Sequence, residues 1–394
     1  MAQRSIDMFE VIVIGAGIEG SATAYSLSKN GHKTLLLEQF NLPHTRGSSH
    51  GQSRITRKAY TKDFYAKMMH EAYDSWEKLA KETDIAVYRK TGLLCFGPPK
   101  SATVLSTADA LRNNGCSYRL LTGAEVKREF PMFDMPDDFI AVHDPIGGML
   151  RADKCLFAFQ KMFQQHGGTI RDGAKVTKIF PGDVVTVFTT RGTYKAKSIV
   201  ITAGPWTSDL VKPLGVHLPL KPVRIAVCYW KEKEPGSFTA RNGGPCFISS
   251  SAFNVDFGFY GLPDEEYPGL VKICMHVGPE IHPDQRDAVP PGRLAADLQT
   301  MQGFIRAHFP GLEDTPSVQE SCIYTMTPDE DFILDTHPSW KNIIIGAGFS
   351  GHGFKLAPVV GKILGELATN RPLSYDLSPF KISRFFPAVA KSRL

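Results

Sequence analysis

The stretch MFEVIVIGAGIEGSATAYSLSKNGHKTLLLEQF, residues 8–40, decides how this chain folds. An apolar run reads as a buried strand, a glycine turn follows, then a helix, then a second apolar strand that ends at Glu38. Gly15, Gly17 and Gly20 fit the spacing GxGxxG, and each glycine has a separate task. Gly15 permits the tight turn, Gly17 lets the backbone approach a pyrophosphate, and Gly20 lets helix and strand pack closely. The helix N-terminus offers free N–H groups and the positive end of its dipole to phosphates. Glu38, at the end of the second strand, can accept hydrogen bonds from the ribose hydroxyls of an adenosine. Strand before, helix after and acid at the second strand's end together predict a dinucleotide-binding unit.

Two later segments read as parts of the same unit. AKSIVITAGPWTS (196–208) is a buried strand running into a glycine turn, and KNIIIGAGFSGHGFKLAPVVGKILGELATN (341–370) repeats strand, glycine loop and helix. That helix sets Leu356, Val359, Val360, Ile363, Leu364 and Leu367 on one face, a stripe for core packing, so the glycine loop before it is the functional candidate. Elsewhere the texture alternates, as in RIAVCYWKE and NVDFGFYGLP, with Pro and Gly turns between, which predicts antiparallel strands. The expected fold is α/β: a Rossmann-like domain at 1–85, 145–216 and 322–394, interleaved with a mixed or antiparallel-sheet domain at 86–144 and 217–321.

With 394 residues, 42% hydrophobic and 22% charged, the chain can bury a large core and has no low-complexity tract. A net charge of +5 without a basic block leaves no footprint for nucleic acid. The seven cysteines are scattered, with no CxxC and no zinc spacing, so no metal is expected and the thiols read as reduced in an intracellular compartment. No apolar run is long enough to span a bilayer, and the first residues lack a signal core, so no membrane partner is expected.

The motifs VIVIGAGIEG, RGSSHGQSRITRKAY (46–60), GAKV (173–176), ITAGPWT, FYGLP, CIYTMTPDEDFILD and GAGFSGHGFKLAP occur in this order over nearly the full length. In this respect the chain resembles the monomeric sarcosine oxidase family of flavin-dependent amine oxidases, most of all its peroxisomal sarcosine/L-pipecolate oxidase branch. The resemblance implies a glutathione-reductase-like FAD oxidoreductase fold. It also implies oxidation of a secondary amino acid, such as sarcosine, L-pipecolate or L-proline, to an imine, with O2 reduced to H2O2. FAD is then the cofactor, touched by Gly15, Gly17, Gly20, Glu38, Val176, Gly204, Gly348, Gly351, Gly353 and Lys355.

Cys322 by itself is a small hydrophobe in a strand, the ordinary role of a free cysteine. The resemblance implies instead an 8α-S-cysteinyl thioether to FAD. It further implies that Arg57 and Lys355 bind the substrate carboxylate and that His50 and Arg54 lie beside the flavin. Lys272 is implied as the oxygen-activating lysine, accompanied by Tyr260 and His276. Arginine suits a carboxylate because its planar fork donates two parallel hydrogen bonds. Arg54 and Arg57, three apart, would share a face if they lay on a helical turn. Lys272 and His276 alternate along a presumed strand and so share a face. A dehydrogenase passing electrons to another acceptor would lack a need for Lys272, and a non-catalytic dinucleotide sensor would need neither Cys322 nor Arg57 with Lys355. The terminal Ser392-Arg393-Leu394 is a near match to the address read by the peroxisomal import receptor, so a peroxisomal location is expected; the protein is also expected to be a monomer.

Overall fold

The computed structural model of the protein describes residues 8–250, 258–288 and 291–386. The chain divides into two compact units: Met1–His50, Leu156–Pro222 and Tyr324–Leu394 form the first, and Gly51–Cys155 with Val223–Ile323 form the second.

The first unit is built on the strand Met8–Ile14, whose last residues Val11–Ile14 are β-rich and buried. It runs parallel to Gly192–Ile201 on one edge, Ile12 opposite Ile199, and to Thr34–Leu37 on the other, Ile12 opposite Leu35. Thr169–Arg171 extends the parallel sheet past Thr34–Leu37, and Ile343–Ala347 extends it past Gly192–Ile201. Val176–Phe180, Val185–Thr189 and Ile333–Thr336 add antiparallel strands, giving eight in all. Strands buried on both faces read as continuous apolar runs, which is why this sheet was visible in sequence. One face packs Ile12, Ile14, Leu35, Leu37, Ile199 and Ile345.

On this unit the helices Ile18–Lys29 and Ala357–Ala368 pack against each other, with Gly361 and Gly365 of the second facing the first. A Cβ at Gly361 would come within 2.6 Å of the Ala22 carbonyl carbon, so this glycine is a condition of the contact. The first helix ends where Gly31 turns left-handed, at φ 82°, a conformation that favours glycine.

The second unit holds an eight-stranded sheet in the order Leu312–Met326, Lys221–Glu232, Leu270–Met275, Phe259–Leu262, Cys246–Ser249, Leu93–Gly97, Ile140–Asp144, Arg119–Thr122. The sheet is mixed, because Cys246–Ser249 runs parallel to Leu93–Gly97 while the other registered neighbours are antiparallel. Its aromatic core includes Phe259 stacked on Phe304 at 3.9 Å, with Trp230 and Phe247 fully buried.

The unit boundaries differ from the sequence expectation. Residues 51–85 and 145–155, placed above with the nucleotide unit, pack with the second. The reason is a small sheet: Ser53–Thr56 and Tyr88–Lys90 both pair with Gly148–Arg151, and the helix Asp63–Thr83 packs on Ala102–Asn113. Residues 217–222 move the other way, and 322–323 close the second unit. The helical turn considered for Arg54 and Arg57 is replaced by the strand Ser53–Thr56, so Arg54 lies within a strand and Arg57 follows its end.

Gly20 is the tightest point of the first unit, since an added Cβ would lie 1.8 Å from the Gly15 carbonyl oxygen and 2.6 Å from Thr202 Oγ1. Gly20→Ala is therefore expected to destabilise the unit by about 1–3 kcal/mol, the range for overpacking against structure that cannot yield. Thermal unfolding should show a lowered transition, and an unchanged transition would mean that helix and strand can separate without cost.

Candidate active site

In the first unit the glycine turn forms a backbone cradle. Gly15 has φ 102°, and a Cβ there would meet the Thr202 carbonyl oxygen at 2.5 Å, so no other residue fits. Gly17 is extended and precedes the helix, whose Ile18 N–H donates to Ser49 Oγ at 2.9 Å. Glu38 Oε2 accepts from the Ala16 N–H at 2.9 Å and Oε1 from the Phe40 N–H at 3.0 Å. A carboxylate has about four lone-pair positions, so each oxygen retains capacity for a sugar hydroxyl. Val176 is buried at the start of its strand, and Gly204, at φ 54°, opens a short 3-10 turn with open space around its Cα.

The second glycine loop, Gly348 to Gly353, belongs to the same unit. Gly348 and Gly351 have φ 65° and 75°. Lys355 is buried in the 3-10 turn Phe354–Leu356 and donates to the His352 carbonyl at 3.2 Å. Glu19, from the first helix, comes to this loop: a Cβ at Gly353 would lie 2.7 Å from Glu19 Oε1. Glu19 is only 7% exposed, and neither of its oxygens has a hydrogen-bond partner. Burial pushes its carboxyl well above the ordinary carboxylate range, opposed in part by the Lys355 ammonium. An orphaned buried carboxyl, two glycine turns that tolerate no Cβ and a helix N-terminus together suit a polar dinucleotide. His50, also in this unit, directs Nδ1 to the Gly47 carbonyl at 2.5 Å.

The second unit presents the other candidates. Tyr260 lies opposite Cys274, and Lys272 lies opposite both Leu262 and Tyr229. Directly opposed residues point to the same face, so Lys272, Cys274 and Tyr260 share one. His276 follows the strand end, its ring edge-on to Tyr260 at 6.3 Å. Arg57 holds its guanidinium over the Tyr60 ring at 4.4 Å, and its buried Nε–H has no partner. Arg54 instead directs Nη1 to the Ser53 carbonyl at 2.7 Å. Arg57 and Lys355 fall in different units, as do His50 and Arg54. Cys322 is buried and forms no disulfide, and its Sγ lies 3.8 Å from the Ile323 carbonyl oxygen.

Sequence reasoning missed Glu19 and, in the second unit, Glu266. Lys272 Nζ donates to Glu266 Oε1 at 2.7 Å, with side chains 9% and 4% exposed. Ser53 Oγ donates to the same oxygen, and Tyr229 OH donates to Oε2 at 2.9 Å. Burial alone would push the Glu266 carboxyl up, but the Lys272 ammonium and the bonds from Lys272, Ser53 and Tyr229 outweigh it and hold the group at about 2. The signal in sequence was a lysine inside an apolar strand, since a buried ammonium requires a counter-charge. Among the described residues, no group of histidine, cysteine or acidic side chains is placed to hold a metal ion.

Comparison with known proteins agrees with this chemistry. The model of the family described as FAD dependent oxidoreductase matches residues 10–367. The peroxisomal sarcosine oxidase of Homo sapiens is 50% identical over 388 residues, 98% of this chain and 99% of that one. The monomeric sarcosine oxidase of Bacillus sp. (strain NS-129) is 35% identical over 382 residues, 95% of this chain and 97% of that one. Among solved structures, NikD, an unusual amino acid oxidase essential for nikkomycin biosynthesis, superposes in its open form with a TM-score of 0.82 at 26% identity, covering 95% and 97% of the two chains. Glycine oxidase from Geobacillus kaustophilus shares the fold, with a TM-score of 0.78 at 19% identity over 96% and 99% of the chains.

The depressed Glu266 carboxyl has a consequence for stability. A folded-state value below the unfolded one contributes stability above the unfolded value and loses it as pH falls through the folded one, here between about 4.5 and about 2. At neutral pH this is on the order of 3 kcal/mol. Glu266→Gln should lower the melting temperature at pH 7, where it leaves Lys272 without its counter-charge, and the deficit should shrink as pH falls from 4.5 toward 2. A deficit that stays constant with pH would show that the carboxylate is not ionised in the folded protein.

Proposed function

The chain belongs to the FAD dependent oxidoreductase family and, within it, to the sarcosine oxidases; from this premise we propose the assignment of its residues to the chemistry. The protein is a flavin-dependent amine oxidase that takes FAD and oxidises secondary amino acids, with O2 as acceptor. Bound FAD supplies the two-electron acceptor for a hydride equivalent from an N-attached carbon and passes the electrons to dioxygen, giving hydrogen peroxide.

Gly15, Gly17 and Gly20 hold the pyrophosphate against the helix N-terminus, and Glu38 takes the adenosine ribose through its remaining lone pairs. Val176, Gly204, Gly348, Gly351 and Gly353 line the rest of the cofactor, and His50 and Arg54 stand beside its ring. Cys322 holds FAD as an 8α-thioether.

Arg57 is the substrate's carboxylate clamp, and the observation that carries this reading is its buried, unspent Nε–H. A guanidinium already oriented by Tyr60 can form a two-bond fork with a carboxylate at little further ordering cost. Lys355 is the second cation for that carboxylate. Positive groups around the amine disfavour its ammonium form and so favour the neutral amine that can give up electrons. Tyr260 and His276 flank the amine. Lys272 serves the oxygen side, where a fixed ammonium stabilises negative charge that appears on dioxygen.

Hydrogen peroxide gives a reason for a peroxisomal address, and we assign that role to Ser392-Arg393-Leu394, which lies outside the described residues. The relatives from Homo sapiens and Mus musculus are themselves named peroxisomal sarcosine oxidase. The working form is taken to be a monomer.

The experiment offers sarcosine, L-pipecolate and L-proline to the purified holoenzyme and reads peroxide. Peroxide from at least one of them is expected, and reduction of the flavin without peroxide would make the protein a dehydrogenase. In the same assay Arg57→Ala should weaken binding of simple carboxylate inhibitors by about 2–5 kcal/mol, the cost of losing one member of a desolvated charge pair. Unchanged inhibitor affinity would place the carboxylate elsewhere.

A further inference from the structure

The second unit contains a continuous chain of polar contacts that ends on Lys272. Tyr267 OH donates to Glu320 Oε1 at 2.6 Å. Tyr229 OH lies between two carboxylates, 3.4 Å from Glu320 Oε2 and 2.9 Å from Glu266 Oε2. Glu266 Oε1 in turn accepts from Lys272 Nζ at 2.7 Å. The rings of Tyr229 and Tyr267 meet edge to face at 4.8 Å, which fixes the two hydroxyls, and Lys272 Nζ sits 5.5 Å from the Tyr229 centroid. Tyr267 and Glu320 are half-buried, whereas Tyr229 and Lys272 are buried, so the chain runs inward from water.

Tyr229 is the decisive member. A phenol carries one proton, so it can donate to one of its two carboxylate neighbours at a time. It can donate to Glu266 at 2.9 Å or to Glu320 at 3.4 Å, and while it donates to Glu266 a lone pair of its oxygen remains for a protonated Glu320. When Glu320 takes a proton from solvent, it can donate to that lone pair while Tyr229 passes its own proton on to Glu266. Burial and the two flanking carboxylates push the Tyr229 hydroxyl far above its ordinary range, which disfavours its phenolate. The other titratable neighbour on the strand of Lys272, Cys274, is kept as a neutral thiol by burial, leaving Glu266 as the carboxylate that balances the lysine.

We propose that Tyr267, Glu320, Tyr229 and Glu266 form a proton relay that recharges Lys272 during the reduction of dioxygen. The proposal rests on the reading of Lys272 as the oxygen-side lysine. Reducing O2 to H2O2 takes two electrons and two protons and forms two O–H bonds. The reduced cofactor gives the two electrons and one proton. Lys272 gives the second proton, breaking one of its N–H bonds. Glu266, protonated through Tyr229 from Glu320, then restores the ammonium, and one proton from solvent replaces the one drawn from Glu320. Glu266 thereby acts in two ways: it holds Lys272 in position and it delivers its proton.

The test reduces the holoenzyme anaerobically with substrate and then mixes it with oxygenated buffer, in H2O and in D2O. The variants are Tyr229→Phe, Glu320→Gln, Lys272→Met and, for the second readout, Glu266→Gln. A second readout, independent of turnover, is the 13Cε chemical shift of Lys272 in the oxidised protein, assigned by its loss in Lys272→Met. Lys272→Met should slow reoxidation roughly 10²–10³-fold, the size of losing one preorganised charge. Tyr229→Phe and Glu320→Gln should each slow it roughly 10- to 100-fold, at or below the usual range for a positioned proton donor, with a larger solvent isotope effect and flavin reduction little changed. In Glu266→Gln the Lys272 13Cε signal should move away from its position in the parent protein, because the carboxylate bonded to Nζ is gone. Should Tyr229→Phe fail to fold, Glu320→Gln carries the kinetic arm. If Lys272→Met slows reoxidation while Tyr229→Phe and Glu320→Gln match the parent, the relay is wrong and the role of Lys272 stands. If Lys272→Met is also unaffected, both fall.

Discussion

The contact on which the first unit depends is the approach of Gly20 to the Gly15 carbonyl oxygen, closer than any Cβ permits. It draws the helix Ile18–Lys29 down onto the strand Met8–Ile14, so the N–H groups at the helix start sit directly beyond the strand's carboxyl end. The same closeness recurs where Gly361 meets Ala22, and it brings the second glycine loop beside the first through Glu19 and Gly353. The two glycine loops are thus shaped mainly by backbone, with side chains added at their edges. Glu38 is one such addition and Glu19 another, the latter a carboxyl that burial pushes well above its ordinary range, opposed in part by Lys355.

The second unit solves a different problem, which is how to keep cations in a mostly apolar sheet. Lys272 is balanced by Glu266, and Glu266 is in turn satisfied by Ser53 and Tyr229. Arg57 is handled otherwise, resting its flat face on Tyr60 and leaving Nε–H unspent. The first arrangement is complete without a ligand, and the second is incomplete. That contrast separates a lysine whose charge is balanced within the protein from an arginine whose buried Nε–H is not.

How much of this was legible in the sequence depended on whether the signal was local. Gly15, Gly17, Gly20 and Glu38 lie within one strand–helix–strand segment, so their spacing carried their geometry. Lys272 and His276 could be placed on one face because strand alternation is local as well, although the strand ends at Met275. Residues 51–85 were assigned to the wrong unit because the pairing of Ser53–Thr56 with Gly148–Arg151 is set by a partner nearly a hundred residues away. The same cause hid Glu266, whose partners Ser53 and Tyr229 come from distant strands. Glu19 went unnoticed because it stands at a variable position of the glycine motif. Only its burial with two unpartnered oxygens distinguishes it.

Cys322 joins these two chemistries along the chain, since the strand Leu312–Met326 carries it in the second unit and continues into the first. A covalent flavin at this residue is the central claim of the account, and it is tested most directly on denatured protein. Active holoenzyme would be precipitated in acid, digested, and the peptide containing Cys322 weighed and examined for flavin absorbance. The account predicts that this peptide carries the flavin and that the supernatant is colourless. Free FAD in the supernatant, together with an unmodified Cys322 peptide from fully active enzyme, would contradict it.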